Sequence, residues 1–233
     1  MKQYLVPKFP SQAINQQTTE LHQLTVGLGF VLGMWGLSRL VVLLAMLVVA
    51  PLLPEPIGGR VPSMMSWWTF AQWDSFWYYC IVYDGYEYVD DGHEYSVAFF
   101  PMYPLLIKGL IVLTGLTFEV VGTLLSNISF VGALIIAYRW LSTQYDHKVA
   151  RWTVLLLTWC PLSFFVSVIY TEGLFLFFST AALASFERNH HLQAGIWGAL
   201  ASATRFQGIM LVPAFVLAAW KDKRPITAYL GGL

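Results

Sequence analysis

Residues 25–50 carry one ionisable side chain, Arg39, in a run that is otherwise free of charge. As a helix the run is long enough to cross the ~30 Å hydrocarbon core of a bilayer with some tilt. A chain holding such a segment must bury all of it or place it in lipid, and the composition decides between the two. The sequence is 57% hydrophobic and 11% charged, with mean hydropathy +0.60, whereas soluble domains are about a quarter charged. This is the make-up of an integral membrane protein. A guanidinium near the middle of a span costs at least ~2.5–3.5 kcal/mol on insertion scales. Arg39 is therefore expected to have a polar partner or an aqueous groove, with snorkelling to the interface as the alternative.

The formal net charge is zero, which removes nucleic acid as a partner. Cys80 and Cys160 are too few and too far apart to suggest a disulfide framework, and each reads as a packing residue. His93, Glu94, His190 and His191 lack metal-ligand spacing, so neither a metal nor a cofactor is expected. The N-terminus is polar, with Lys2 and Lys8, and the apolar run after it is too long for a signal-peptide core. Residues 1–24 then read as a cytoplasmic tail.

After the first span, residues 51–60 (PLLPEPIGGR) form a breaker-rich turn. Tryptophans and tyrosines crowd residues 67–88, which suits the headgroup zone, and residues 64–83 are expected to form a helix lying on the membrane surface. Asp84-Gly85 and Asp90-Asp91-Gly92 then turn the chain. Residues 97–116 are apolar enough to span, but Pro101, Pro104, Gly109 and Gly115 make a poor helix. Charge placement settles the reading. If this piece does not cross, Arg139, Lys148, Arg151, Arg188, Lys221, Lys223 and Arg224 all share the side of the N-terminus, as the positive-inside rule asks. The expected fold is therefore all-α and multi-pass, with spans at 25–50, 118–141, 149–169, 171–187, 192–203 and 206–220. Residues 51–117 form an extracytoplasmic loop of interfacial helices, and both termini are cytoplasmic. The sequon Asn127-Ile128-Ser129 lies inside a span and should be silent.

This topology gathers three polar features on one membrane face: Asp74, Tyr170-Thr171-Glu172 and Thr204-Arg205. Two carboxylates and an arginine are the parts needed to move a sugar from a lipid phosphate to a hydroxyl. One carboxylate takes the hydroxyl proton, and the arginine fork holds the phosphate as its charge develops. Each residue also has a plainer reading. Asp74 serves as an interface charge, Glu172 as a carboxylate favoured by the dipole of its own helix, and Arg205 as the ion-pair partner of Glu172. On the surface helix, Asp74, Trp77, Tyr78 and Ile81 are spaced to share one face.

A series of short motifs carries a resemblance. Leu37-Ser38-Arg39 is followed by Trp73-Asp74, Asp84-Gly85-Tyr86 and Ala98-Phe99-Phe100-Pro101-Met102-Tyr103-Pro104. Further on come Ser126-Asn127, Pro161-Leu162-Ser163, Tyr170-Thr171-Glu172, Phe186-Glu187-Arg188 and Ala203-Thr204-Arg205. In order and with these gaps, over residues 37–210, the chain resembles the PIG-V type of mannosyltransferase and its bacterial relatives in the GT-C superfold. The resemblance implies inverting transfer of a hexose, typically mannose, from a polyprenyl- or dolichyl-phosphate sugar, with no nucleotide sugar. The partners implied are a lipid-linked donor in the bilayer and a glycan or glycolipid acceptor. Asp74 matches the loop carboxylate taken as the base in that superfold, and Glu172, on the same face, is the second catalytic candidate from the residues themselves. Arg205, Arg39, Trp73, Tyr170 and Tyr86 are the candidate substrate-binding residues.

There are two departures from the family. Trp77 stands where some relatives carry His, and family members continue with further spans. The chain thus reads as the N-terminal part of a longer enzyme, or as one half of a pair in which a partner subunit supplies the missing spans. The competing class is a non-catalytic or truncated membrane subunit that keeps the fold. The implied location is the plasma membrane for a bacterial member and the endoplasmic reticulum membrane for a eukaryotic one.

Overall fold

The computed structural model describes residues 10–52 and 66–230, and among these there are helices and no strand. Residues 1–9 of the expected tail, most of the turn at 51–60, and residues 64–65 of the expected surface helix lie outside the described residues. Helix α1 (Pro10–Leu44) passes from the polar tail into the apolar run without a break. It widens into a π-type turn (Ala45–Val49) and then tightens into a 3-10 turn (Ala50–Leu52) at Pro51. Two described helical stretches are long and apolar enough to cross a bilayer, Thr25–Leu52 and α4 (Phe118–Gln144), each with mean hydropathy 2.1.

The segment between them is folded in short pieces. A 3-10 turn (Trp67–Phe70) is capped by Ser66, whose hydroxyl accepts the Trp68 N–H at 3.3 Å. Helix α2 (Ser75–Tyr83) follows, and then α3 (Met102–Thr114). The single surface helix expected over 64–83 is therefore interrupted at residues 71–74. Trp73 there takes a left-handed φ of +50°, which an α-helix cannot include. The region around 97–116 departs from expectation in another way. Pro101 and Pro104 sit at the N-cap and in the first turn, where no intrahelical N–H is needed, so they start a regular helix and do not spoil one. The 13 residues of α3 rise about 20 Å, short of the hydrocarbon thickness.

Helix α5 (His147–Trp159) opens on Asp146, whose carboxylate accepts the Val149 N–H at 2.7 Å. The helix stops well before residue 169. Cys160 is extended and Pro161 begins a 3-10 turn (Pro161–Val166), after which the chain runs irregularly to Thr171. The remaining helices are α6 (Glu172–Glu187), α7 (His191–Thr204), α8 (Leu211–Lys221) and α9 (Ile226–Leu230). A 3-10 turn (Phe206–Met210) bends α7 into α8.

Helix α4 is the centre of the packing, with α6, α5, α1 and α3 against it. One core joins Phe70, Tyr78, Tyr103, Phe118, Ile169 and Phe178, tying α2 and α3 to α4, α6 and the irregular stretch before α6. A second core packs α1 on α4 and α5 through Val31, Phe130, Leu134 and Val154. A third packs α6, α7, α8 and α9 around the stacked rings of Phe186 and Phe215, 4.4 Å apart. Outside these cores, Leu37, Leu40, Val41 and Leu44 on α1, Leu156 on α5 and Leu217 on α8 are exposed. An apolar outer surface of this kind suits lipid better than water.

The alternation of helix directions separates two ends. The starts of α4 and α6 meet the ends of α5 and α7 at one end. The other end collects Arg139, Lys148, Arg151, Arg188, Lys221, Lys223 and Arg224 from the opposite termini. Local contacts hold that basic end together. Arg224 donates to the Phe186 carbonyl at 2.8 Å, pairs with Glu187 at 3.1 Å and lies over the Phe186 ring. His147 lies within hydrogen-bond distance of Tyr138 and Gln23.

Candidate active site

At the opposite end, four separate segments line a cleft of about 220 Å³ that includes Asp74, Tyr78, Phe99, Tyr170, Glu172, Arg205 and Gln207. The acidic group of the first segment is Asp74, the residue before α2. Ser75 beside it is buried, and its hydroxyl donates to the Ile169 carbonyl at 3.1 Å. The Asp74 N–H donates to the Tyr170 hydroxyl at 3.2 Å, and the Ile169 N–H donates to the Phe70 carbonyl at 3.0 Å. Three hydrogen bonds thus lace the start of α2 to the stretch leading into α6. The Asp74 carboxylate itself has no hydrogen bond or ion pair among the described residues. Its backbone is held while its oxygens stay free.

Trp73 is part of this lacing. Its left-handed backbone is unusual for a bulky residue and costs on the order of 1 kcal/mol or more. The indole lies at ring-centroid distances of 6.1 Å from Phe164 and 6.5 Å from both Phe165 and Tyr170, so aromatic packing offsets that strain. On the buried side of α2, Tyr78 packs edge-on against Phe99 and Tyr103. Burial raises the Tyr78 phenol above its ordinary range, so it stays a neutral hydroxyl at the cleft wall.

Glu172 is the first residue of α6, where the helix dipole favours a carboxylate. Its Oε1 forms an ion pair with Arg205 Nη1, and the two side chains are 32% and 31% exposed. Arg205 Nη1 also donates to Thr171 Oγ1 at 3.2 Å, and Nε donates to Gln207 Oε1 at 3.5 Å. Nη2 makes no bond among the described residues. Glu172 Oε2 is buried and likewise unpartnered. The pair therefore leaves a free donor edge on the guanidinium, while the second carboxylate oxygen is enclosed by protein.

Two glycines permit this geometry. A Cβ on Gly173 would overlap the Ser126 carbonyl, so glycine lets the start of α6 press on α4. A Cβ on Gly208 would overlap the backbone of Ala201 and Ser202, so glycine lets the chain fold back on α7 and leave Arg205 at the corner. Ser126 joins the two sides. Its hydroxyl donates to the Tyr170 carbonyl at 3.1 Å and lies 2.6 Å from the Tyr103 hydroxyl.

The seven-residue motif starting at Ala98 supplies another wall. Ala98, Phe99 and Phe100 line the cleft, and Phe99 stacks on Trp77 at 5.9 Å. Tyr86 does not line it. Its hydroxyl donates to the Phe99 carbonyl at 2.8 Å and so braces that wall from behind. Arg39 is also outside the cleft, held by Ser163 and Ser167 in the stretch before α6. Sequence reasoning did not assign a role to Tyr78 or Gln207. The signals were present in the helical spacing of Tyr78 from Asp74 and in the position of Gln207 two residues after Arg205.

The cleft thus offers a free carboxylate, a guanidinium with an open edge and a ring of aromatic surfaces. A family model described as Mannosyltransferase (PIG-V) matches residues 45–221. The match includes Asp74, Glu172 and Arg205 and begins after Arg39. No curated protein and no solved structure matches the chain.

Proposed function

The chain belongs to the mannosyltransferase (PIG-V) family of glycosyltransferases, and from that premise we propose that it moves a hexose, mannose first, from a polyprenyl- or dolichyl-phosphate sugar to a glycan or glycolipid acceptor. The observation that carries this reading is the convergence of Asp74 with the Glu172–Arg205 pair in one cleft. In the proposed reaction the acceptor hydroxyl oxygen attacks the anomeric carbon, and the bond from that carbon to the phosphate oxygen breaks. Asp74 takes the hydroxyl proton, and the lipid phosphate leaves with the electron pair and its added negative charge. Attack opposite the leaving group inverts the anomeric centre.

Arg205 is the group for the departing phosphate. Its free Nη2 edge can receive an oxygen without first breaking the pair to Glu172. Glu172 acts in this scheme through Oε1, which orients the guanidinium. Phe99 and Tyr170, which line the cleft, offer flat aromatic surfaces for a pyranose ring, and Trp73, outside the cleft lining, packs edge-on against Tyr170. The tyrosines bear on position as well, since Tyr170 holds Asp74 and Tyr86 holds Phe99.

The protein is proposed to lie in the membrane as a multi-pass bundle. The cleft faces the extracytoplasmic side and the basic end faces the cytoplasm. The lopsided distribution of Lys and Arg supports that orientation. A lipid-linked donor fits a cleft at one end of such a bundle, since its phosphate would sit at headgroup level and its chain in the bilayer.

The test offers membranes containing the protein radiolabelled mannose on two carriers, polyprenyl phosphate and a nucleoside diphosphate. Transfer from the polyprenyl phosphate alone, lost on Arg205→Ala, is the expected result. Equal transfer from the nucleotide sugar, or no transfer from the lipid carrier by protein that binds it, contradicts the proposal.

A further inference from the structure

A cavity of about 630 Å³ opens at the basic end, between α1 and α5. The two helices run in the same direction there, since Gln23 meets His147 and, further along both, Phe30 meets Arg151. The polar lining comes from Gln23 on α1 and from His147, Lys148 and Arg151 in the first turns of α5. Val26, Phe30 and Leu155, further along the two helices, and Trp152 form the apolar lining. The apolar run of α1 begins at Thr25, so the cavity straddles the point where that helix passes from polar to apolar. Its volume falls in the roughly 300–1,000 Å³ range of small-molecule sites.

Lys148 and Arg151 are exposed, and among the described residues neither side chain makes a hydrogen bond or an ion pair. Arg151 Cζ lies 5.7 Å from the centroid of the Phe30 ring, a contact that uses one face of the guanidinium and none of its N–H groups. Gln23 adds a donor of fixed orientation. Its Oε1 lies 3.2 Å from His147 Nε2 and can only accept, so Nε2 carries the proton. In the neutral ring Nδ1 then accepts from the hydroxyl of the buried Tyr138, 3.1 Å away. This relay leaves the Gln23 Nε2 hydrogens without a partner among the described residues. No carboxylate among the described residues lines the cavity, and Asp146, beside it in sequence, is engaged by the Val149 N–H. The groups still open to a ligand are therefore donors, and two of them carry a full positive charge.

We propose that this cavity holds the headgroup of a phospholipid of net negative charge, taken from the leaflet at the basic end. Lys148, Arg151 and the Gln23 amide donate to the phosphate oxygens, and the acyl chains lie along Val26, Phe30, Leu155 and the exposed Trp152. Basic pockets between membrane helices on the side rich in Lys and Arg suit anionic headgroups. A soluble anion would meet the same donors but leave the apolar lining against water. A neutral lipid would cover that lining but leave two positive charges unbalanced. A lipid anion answers both. The inference rests on the bundle lying in a membrane and not on the transfer reaction, since no residue lines both this cavity and the cleft.

The test uses the whole chain purified in detergent, with three probes: dioleoyl phosphatidylglycerol, dioleoyl phosphatidylcholine and glycerol 3-phosphate. Retained ligand is read by native mass spectrometry and affinity by titration. Phosphatidylglycerol should bind at least about tenfold more tightly than either of the others. Lys148→Gln and Arg151→Gln break no hydrogen bond or ion pair among the described residues, so the fold keeps its polar contacts. Each should weaken phosphatidylglycerol binding about fivefold, and the two together should bring it to the level of phosphatidylcholine. Lys221→Gln with Lys223→Gln removes the same charge from exposed positions at the same end but outside the cavity, and should leave binding unchanged. Equal affinity of the wild type for phosphatidylglycerol and phosphatidylcholine would overturn the proposal, as would wild-type binding by the Lys148→Gln/Arg151→Gln protein. An equal loss in the Lys221→Gln/Lys223→Gln protein would also overturn it, because the basic surface at large would then be the attractor. Glycerol 3-phosphate binding as tightly as phosphatidylglycerol would overturn the lipid assignment.

Discussion

Arg205 and Arg39 bond different parts of the same stretch of chain, Arg39 at Ser163 and Ser167 and Arg205 at Thr171 and Glu172, and meet opposite surroundings. Arg205 is half-exposed and neutralised by its own carboxylate, Glu172, while its Nη2 edge is free. Arg39 is fully buried, bonded to serine hydroxyls and a carbonyl, and lacks a carboxylate among the described residues. A solvent-facing arginine with a counter-ion can take up a charged ligand and let it go, because the protein restores neutrality when the ligand leaves. A buried arginine held by serine hydroxyls, a carbonyl and the face of Phe130, 5.2 Å from Cζ to the ring centroid, is fixed in place by the fold itself. The first arrangement suits turnover and the second suits anchoring α1 to the stretch before α6.

Substitution at Arg205 should have the largest effect. Arg205→Ala removes the proposed partner of the leaving phosphate and strands Glu172, and turnover should fall by roughly 10²–10³-fold. Arg205→Lys should recover only part of that loss, since an ammonium cannot reproduce the guanidinium fork. Steady-state transfer of labelled sugar measures both, and wild-type rates in Arg205→Ala would erase the contrast between the two arginines.

Gly173→Ala comes next. Its Cβ meets the Ser126 carbonyl, a backbone atom that cannot swing aside, so α6 must shift away from α4. The cost should be roughly 1–3 kcal/mol, read as a lower melting temperature in detergent, with activity falling because Glu172 moves with α6. Arg39→Gln loses several charge-assisted bonds but also removes the unbalanced charge, so the net destabilisation should be only about 1.5–3 kcal/mol. A stabilised Arg39→Gln protein in detergent would contradict that expectation, showing that the buried charge costs more than its bonds to Ser163 and Ser167 return. The smallest effect is expected from Tyr170→Phe, which takes one acceptor from the Asp74 N–H and keeps the ring. About 0.5–1.5 kcal/mol of stability should go, together with a modest drop in rate.

Some of this architecture is legible before any coordinates. Counting helices and basic residues puts Asp74, Glu172 and Arg205 at one end, and they line one cleft. The energetic cost of a mid-span guanidinium calls for polar partners at Arg39, and Ser163 and Ser167 supply them. What escapes the sequence is set by tertiary contacts. The break at residues 71–74 needs a left-handed Trp73, a conformation that no propensity favours and that Phe164, Phe165 and Tyr170 hold in place. The early end of α5 follows from Pro161, a local signal overridden in reading by the apolar run around it. Residues 97–116 err the other way, because Pro101 and Pro104 are read as breakers when their position makes them starters. The pairing of Arg205 with Glu172, one of two readings open to the sequence, coexists with a free guanidinium edge that only the hydrogen-bond geometry reveals.

The measurement closest to the central claim is the single-turnover rate of sugar transfer by Asp74→Asn, with donor binding and melting temperature followed in the same preparation. The substitution keeps the size of the side chain and the backbone hydrogen bond to Tyr170, and removes the basic oxygen. With Asp74 as the base, the rate should fall by roughly 10²–10⁴-fold, while donor binding and melting temperature stay at wild-type values. Transfer at the wild-type rate by Asp74→Asn would contradict the account and leave Asp74 an interface charge, with Glu172 as the next base to test.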